Sequence, residues 1–247
     1  RVELTKLLVS DHPDKLLEAY VTGITAYILP EFDRMMEQPQ NNQYHRYNVG
    51  VHSIEAVKHI RSDVTMRWAA LLHDIGKPST HMVDENGMDH FYDHQIAGVP
   101  IAEAVLRRLK FDNNTIKDVC TLVRWHDFGL GCVPKKNTIR KLLGEVGKDF
   151  FPYIIEIKKA DMAAQSDYKL EERQSQLAAL EKKYEEIIAD DDCVRIKDLK
   201  VNGGDLIKLG IKPGPQMGEM LQKLLDIVIE DPEKNDREYL IEQAKMM

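Results

Sequence analysis

Trp68-Ala69-Ala70-Leu71-Leu72-His73-Asp74-Ile75-Gly76-Lys77-Pro78 is an apolar run that ends abruptly in two ligating side chains. Five consecutive apolar residues after Met66 predict a buried helix, and Asp63 is an N-cap for it. Gly76 and Pro78 then predict its C-terminal end, in the order helices favour. His73 and Asp74 therefore stand where a buried helix meets a turn, with Lys77 about one turn beyond Asp74.

Reading outward, the pattern is helical almost everywhere. Residues 14–29 predict a helix that stops before Pro30, and 31–50 read as polar and irregular, with a loop at 38–43. Helical periodicity returns at 51–61, 92–109, 113–126, 137–144 and 148–165, with Pro100 predicting a kink or an early boundary in the second of these. Residues 167–190 read as one long charged helix carrying Leu177, Leu180, Tyr184 and Ile187 at helical spacing. After a glycine-rich stretch, Met217, Leu221, Leu224, Leu225 and Val228 form an apolar core stripe, and Pro232 separates it from a last helix at 234–246. No strand pattern or internal repeat stands out. The expected fold class is all-α, a helical bundle with a small helical C-terminal extension. The expected division is a helical lead-in at 1–44, a core at 45–166, and a long helix plus tail at 167–247.

Composition narrows the function classes. The chain has 247 residues, 43% hydrophobic and 30% charged, an ordinary balance for a packed domain. No apolar run approaches the roughly 20 residues of a membrane helix. Lys and Arg number 34 against 41 Asp and Glu, a net charge of −7, so contact with nucleic acid would have to come from a local patch. Cys120, Cys132 and Cys193 are widely spaced and form no C-x-x-C pair, which with the lack of a signal peptide points to a reducing, cytoplasmic setting. The chain opens on Arg1 rather than Met, so a preceding segment is expected.

All nine histidines lie between residues 12 and 126. His52 is one helix before His73-Asp74. His94 opens the helix after a polar loop, His126 closes a further helix next to Asp127, and Asp161 sits in a late helix. Antiparallel packing of such helices can bring these side chains to one spot. Imidazole and carboxylate together suit Mg, Mn, Ni, Fe or Zn, and such a site leaves positions for water and phosphate. A bound divalent metal lowers the pKa of its water and polarises a phosphoryl oxygen. Asp74 is the candidate to bridge two ions, and Lys77 the candidate to meet a phosphate as a point charge. His12, His45, His59 and His81 read as bystanders; His90 precedes His94 by one turn. Lys135, Lys136, Arg140 and Lys141 form a basic cluster that either steers a phosphate-bearing substrate or is a solvated face. Trp68, Trp125 and Phe151 read as core aromatics, with Trp125 alternatively a wall of the site.

The ordered set His52, His73-Asp74-Ile75-Gly76-Lys77, Asp161 resembles the HD superfamily of metal-dependent phosphohydrolases over about residues 45–165. The resemblance implies an all-α fold in which His52, His73, Asp74 and Asp161 hold one metal, and His94 and His126 with Asp74 a second. The flanks are similar to the C-terminal half of bacterial tRNA nucleotidyltransferases (CCA-adding enzymes) and their poly(A) polymerase-like relatives. That likeness rests on Ile28-Leu29-Pro30-Glu31-Phe32 upstream and, in the tail, on Val201-Asn202-Gly203-Gly204-Asp205-Leu206 and Leu209-Gly210-Ile211-Lys212-Pro213-Gly214-Pro215. No nucleotidyltransferase head is found: Gly203-Gly204 is not followed by a paired D-x-D. The resemblance implies a phosphomonoesterase or 2′,3′-cyclic phosphodiesterase acting on nucleotides or RNA 3′ ends, with Asp74 and Lys77 as catalytic residues and Lys77, Lys135, Lys136 and Arg140 touching substrate. Two rivals stand beside it: an RNA-positioning body and tail of a CCA-adding enzyme with an inactive site, with tRNA as partner, or a stand-alone nucleotidase. The tail has two readings of its own, an RNA contact through Gly203, Gly204, Gly214, Lys208 and Lys212, or a helical cap.

Overall fold

The computed structural model describes residues 1–247 and is all-helical apart from two short strands, as the periodicity predicts. The chain divides into two compact units: Arg1–Gly131 with Pro152–Ser175, and Cys132–Phe151 with Gln176–Met247.

The first unit opens with α1 (Val2–Val9) and a 3-10 turn at Pro13–Lys15. The segment expected as one helix over 14–29 is two, α2 (Leu16–Val21) and α3 (Thr25–Ile28), because Gly23 takes a left-handed φ of 75° between them. The segment expected as irregular contains a further helix, α4 (Pro30–Glu37), which Pro30 starts at the first helical position. Its Phe32 and Met35 are buried while the charged residues face out. α5 (Val49–Lys58) is capped by Asn48, whose side chain accepts from Val51 N. α6 (Val64–Leu72) is capped as expected by Asp63, which accepts from Met66 N at 3.0 Å. Trp68 is wholly buried, and its Nε1 donates to Thr5 Oγ1.

Gly76 does not act as a helix-ending glycine: its φ is −79° and it precedes a short α7 (Lys77–Thr80) with Pro78 in the first turn. A two-residue hairpin follows, β1 (Met82–Val83) paired antiparallel with β2 (Asp89–His90), Met82 opposite His90. α8 (His94–Arg108) runs straight through Pro100, so the expected early boundary is absent. α9 (Asn113–Trp125) is capped by Asp112. α8 packs on α9, α9 on α6, α6 on α5, and α5 on α4, around Leu71, Leu72, Leu106, Val119 and Leu122.

Of the remaining helices, α10 (Lys136–Val146) belongs to the second unit and α11 (Phe151–Ala164) returns the chain to the first. α12 (Leu170–Ala189) leads back into the second unit. There the glycine-rich stretch forms a 3-10 turn at Ile196–Asp198 and α13 (Gly203–Lys208), capped reciprocally by Asn202 and Asp205. α14 (Pro215–Glu230) and α15 (Arg237–Met246) complete it. Its core gathers Leu206, Leu224, Leu225, Val228 and Leu240. The Met217–Val228 stripe is thus a core face, with Met217 and Leu221 at its partly buried edge. No helix is long and apolar enough to cross a membrane.

Candidate metal centre

The six candidate ligands come from five parts of the fold, most of them at helix ends. His52 lies in the first turn of α5, His73 and Asp74 in the turn after α6, His94 at the first position of α8, His126 just past α9, and Asp161 in the last turn of α11. Asp93 takes a left-handed conformation, φ 57° and ψ 20°, and so turns the chain into α8 with His94 pointed inward.

Gly76 brings two of these ends together. A Cβ there would lie 2.1 Å from His94 O and 2.6 Å from Gly98 N. The turn carrying Asp74 thus abuts the backbone of α8, and only a residue without a side chain fits.

The result is two adjoining groups that share Asp74. In the first, His52 Nε2 and His73 Nε2 are 3.2 Å apart, and Asp74 Oδ2 is 3.5 and 3.2 Å from them. Asp161 Oδ1 lies 2.9 Å from His52 Nε2 and 3.7 Å from His73 Nε2. In the second, His94 Nε2 and His126 Nε2 are 3.2 Å apart, and Asp74 Oδ1 is 3.1 and 3.7 Å from them. Within each set, His52–His73–Asp74 and Asp74–His94–His126, the ligating atoms lie within 4.8 Å of one another. His52, His73, Asp74, His94 and His126 are all buried, and Asp161 is 13% exposed.

The outer partners fix how these rings face. The Nδ1 atoms of His73, His94 and His126 donate to the carbonyls of Ala70, Phe91 and Val123, at 2.7, 2.8 and 2.8 Å. A carbonyl only accepts, so Nδ1 carries the proton and each Nε2 lone pair faces the cluster, as a metal-ligating histidine requires. Gln165 Nε2 donates to both oxygens of Asp161 at 3.1 Å, and Arg173 in turn donates to Gln165 Oε1. Lys77 Nζ is 2.7 Å from Asp74 Oδ2 and donates to Gln40 Oε1 at 2.7 Å. Asp74 Oδ2 nevertheless has no directed hydrogen-bond donor, though it is buried. A carboxylate shared between two groups and converging imidazole lone pairs fit a divalent ion.

Electrostatics agree. Burial pushes Asp74 and Asp161 toward neutrality, but the surrounding histidines, with Lys77 beside Asp74, hold both carboxylates well below their usual range. Burial opposes the charged form of His73 and His94 too, yet the carboxylates outweigh it and raise both. His45 goes the other way: burial, then Lys77 and His52, push it down to about 2, so it stays neutral.

The structure thus brings His52, His73, Asp74, Lys77, His94, His126 and Asp161 to one place. Asp74, Lys77, His94 and Asp161 border a cavity of about 200 Å³, also lined by His45, Tyr92 and Asp127, while His52, His73 and His126 lie behind its wall. Lys135, Lys136 and Arg140 do not line it. They belong to the second unit, where Arg140 is buried, with Nε donating to Asp192 Oδ2 at 2.7 Å and Nη1 to Ile229 O, so it is not free to meet a phosphate. Lys136 pairs with Glu186 and Lys141 with Glu230, leaving Lys135 exposed. In the tail, Gly204 N is already bonded to Asn202 Oδ1 at 2.8 Å, which favours the helical-cap reading there. Trp125 is half-buried and lies outside the cavity lining.

Sequence reasoning missed Asp127, His45, Gln40 and Gln165. Asp127 carboxylate oxygens stand 3.3 Å from His94 Nε2 and 3.6 Å from His126 Nε2. Its adjacency to His126 was the available signal; the other three reach the site only through space.

Among known families, tRNA nucleotidyltransferase domain 2 matches residues 97–244, well over half of the 247. The chain belongs to this family. An A-adding tRNA nucleotidyltransferase of Deinococcus radiodurans is 27% identical over 236 residues, 92% of this chain and 53% of that protein. A CC-adding tRNA nucleotidyltransferase of Thermus thermophilus is 28% identical over 233 residues, covering 91% and 51%. A multifunctional CCA protein of Actinobacillus pleuropneumoniae is 32% identical over 131 residues, 49% of this chain and 31% of the relative. The chain spans about half the length of the first two. For this member of the tRNA nucleotidyltransferase domain 2 family, the matched region takes in His126 and Asp161 but begins after His52, His73, Asp74 and His94.

Proposed function

We propose that this chain is the body-and-tail module of a tRNA nucleotidyltransferase-type protein, the part that holds and positions tRNA. The observation that carries this reading is the extent of the likeness: two nucleotide-adding relatives align along nine-tenths of the chain. It moves ahead of the hydrolase reading, which rests on the cluster alone. With a net charge of −7, binding depends on local basic side chains, so affinity for tRNA should fall steeply with salt. The test is tRNA binding between 50 and 200 mM salt, where log affinity should fall linearly with log salt, by a slope of about 0.7–0.9 for each phosphate contacted. No tRNA binding at the lowest salt would overturn this reading.

A second reading is favoured by one specific observation, the convergence of six ligating side chains on two groups that share Asp74. In it, the module also carries a divalent-metal phosphohydrolase centre of the HD kind, acting on nucleotide or RNA-end phosphoesters. His52, His73, Asp74 and Asp161 would hold one ion; Asp74, His94 and His126 would hold a second. A bound ion would supply an acidified water and polarise the phosphoryl oxygen. The protein's own part is to bind and orient. Lys77, held between Asp74 and Gln40, offers its ammonium to a phosphate oxygen as charge develops. Burial of the cluster keeps competing water out and makes that charge count for more. Asp127, beside His94 and His126, adds a further carboxylate at the cavity edge. The test is hydrolysis of 2′,3′-cyclic and 2′-monophosphate nucleotides by the Mn-, Ni- or Mg-loaded chain. Turnover that survives Asp74→Ala would contradict the reading.

A further inference from the structure

The segment between the hairpin and α8 presents an aromatic side chain that the cluster itself does not need. Tyr92 is 66% exposed yet borders the same cavity as Asp74, Lys77 and Asp161. An exposed aromatic on its own is unremarkable. This one is held in place. Its ring stacks on His90, centroids 5.4 Å apart and planes within 6°. His90 Nε2 is 3.0 Å from Asp84 Oδ2, and the other Asp84 oxygen accepts from the amides of Asn86 and Met88 at 2.9 Å. A second clamp, His81 Nε2 to Asp89 Oδ1 at 2.6 Å, closes the hairpin from its other strand. Between them, Phe91 packs against His81 and lies 5.4 Å under Lys77 Nζ.

The segment is also registered to the cluster. Phe91 O is the acceptor that fixes the His94 ring, so Tyr92 is one residue from a ligand's own support. The cavity, about 200 Å³, is smaller than the roughly 300 Å³ of pockets that enclose a whole small ligand. That volume has room for a phosphoryl group and little beyond a sugar, so the rest of a larger phosphoester would lie at the mouth.

We propose that Tyr92, braced on His90, is a stacking shelf that makes this site select phosphoesters bearing a planar ring, such as a nucleobase, over aliphatic phosphoesters. The inference rests on the phosphohydrolase reading for its phosphate end. The shelf gives affinity without reading base identity, because every base offers a π-face.

The test is calorimetric titration of the Mn-loaded chain with a nucleoside monophosphate, with ribose phosphate and with inorganic phosphate, alongside their turnover where a phosphoester is present. Wild type should bind the nucleotide about tenfold or more tightly than ribose phosphate, the size of one stacked base. Tyr92→Ala should erase that preference and leave ribose phosphate and inorganic phosphate unchanged; Tyr92→Phe should keep it. Tyr92 is exposed, so both variants should fold, which far-UV circular dichroism checks. A wild type that binds and turns over nucleotide and ribose phosphate equally, or a Tyr92→Ala variant that keeps the preference, overturns the shelf and leaves the hydrolase reading standing. A wild type that binds no phosphate compound overturns both.

Discussion

Asp74 carries the most weight at the scale of single residues. It is the shared ligand, and its charge also compensates a buried Lys77. Asp74→Ala should therefore do two separable things. It should remove bound metal, and with it any phosphoesterase turnover of the proposed hydrolase centre, and it should strand the Lys77 ammonium in the interior, costing about 3–5 kcal/mol of stability. Asp74→Ala combined with Lys77→Met should regain much of that stability and none of the metal, as denaturant unfolding and elemental analysis would show. A double variant as unstable as the single one would mean that Lys77 does not depend on Asp74. Most of the cluster was legible in the sequence, since His73-Asp74 ends an apolar run and His52, His94 and His126 sit at or near helix ends. Gln165 and His45 were not: a residue that supports a ligand from another segment leaves no trace in spacing.

Between elements, close approach and ion pairing set where the ligands stand. Gly76→Ala would drive a methyl into the carbonyl of His94 and the amide of Gly98, atoms that cannot swing aside. The expected cost is about 1–3 kcal/mol or more, as for overpacking, with loss of metal at the His94–His126 group first. Melting and metal content measured together check this; a stable variant with full metal would show that the two backbones are not in contact. α4 and α8 are joined by Arg108, whose Nη1 and Nη2 donate to the two Glu31 oxygens at 2.7 and 2.6 Å. Burial pushes the Glu31 carboxyl up, but the guanidinium outweighs it and the folded value lies below the usual 4.5. The pair therefore adds stability in full above pH 4.5, lost as pH falls through the lower folded value, and worth about 1 kcal/mol or less since Arg108 is 45% exposed. Glu31→Gln should be slightly less stable than wild type at pH 7 and equal to it near pH 3 by urea titration. The start of α6 was readable in advance from Asp63, whereas α13, capped by Asn202, lay hidden in the glycine-rich stretch. α4 was not readable either, because its apolar face is only Phe32 and Met35 amid polar residues, and two-residue strands are too short to show alternation. α8 continues past Pro100 because the one hydrogen bond it removes is offset by the packing of α8 on α9 and α7.

For the molecule as a whole, the charge ledger and the two units matter most. The basic run 135–141 looked like a substrate patch in sequence, yet its central arginine is a buried structural tie of the second unit, to Asp192 and to Ile229 O. Sequence shows that cations are clustered; it does not show which are already paired. Arg140→Ala should lower the stability of the chain by about 3–5 kcal/mol by leaving Asp192 buried and alone. It should not change phosphate binding at the His/Asp cavity, which calorimetry with inorganic phosphate reads directly. A variant with native stability and weakened phosphate binding would restore the steering role. The overall negative charge likewise makes the salt dependence of tRNA binding, rather than its strength at one salt, the informative quantity.

The central claim is that six side chains from five parts of the fold form a real metal centre. Metal equivalents per chain, measured by mass spectrometry on wild type and Asp74→Ala after exposure to Mn, Ni and Mg and removal of excess, test it most directly. Wild type should hold between about one and two equivalents, on the order of the two groups seen, and the variant close to none. No tightly held metal in a well-folded wild type would contradict it.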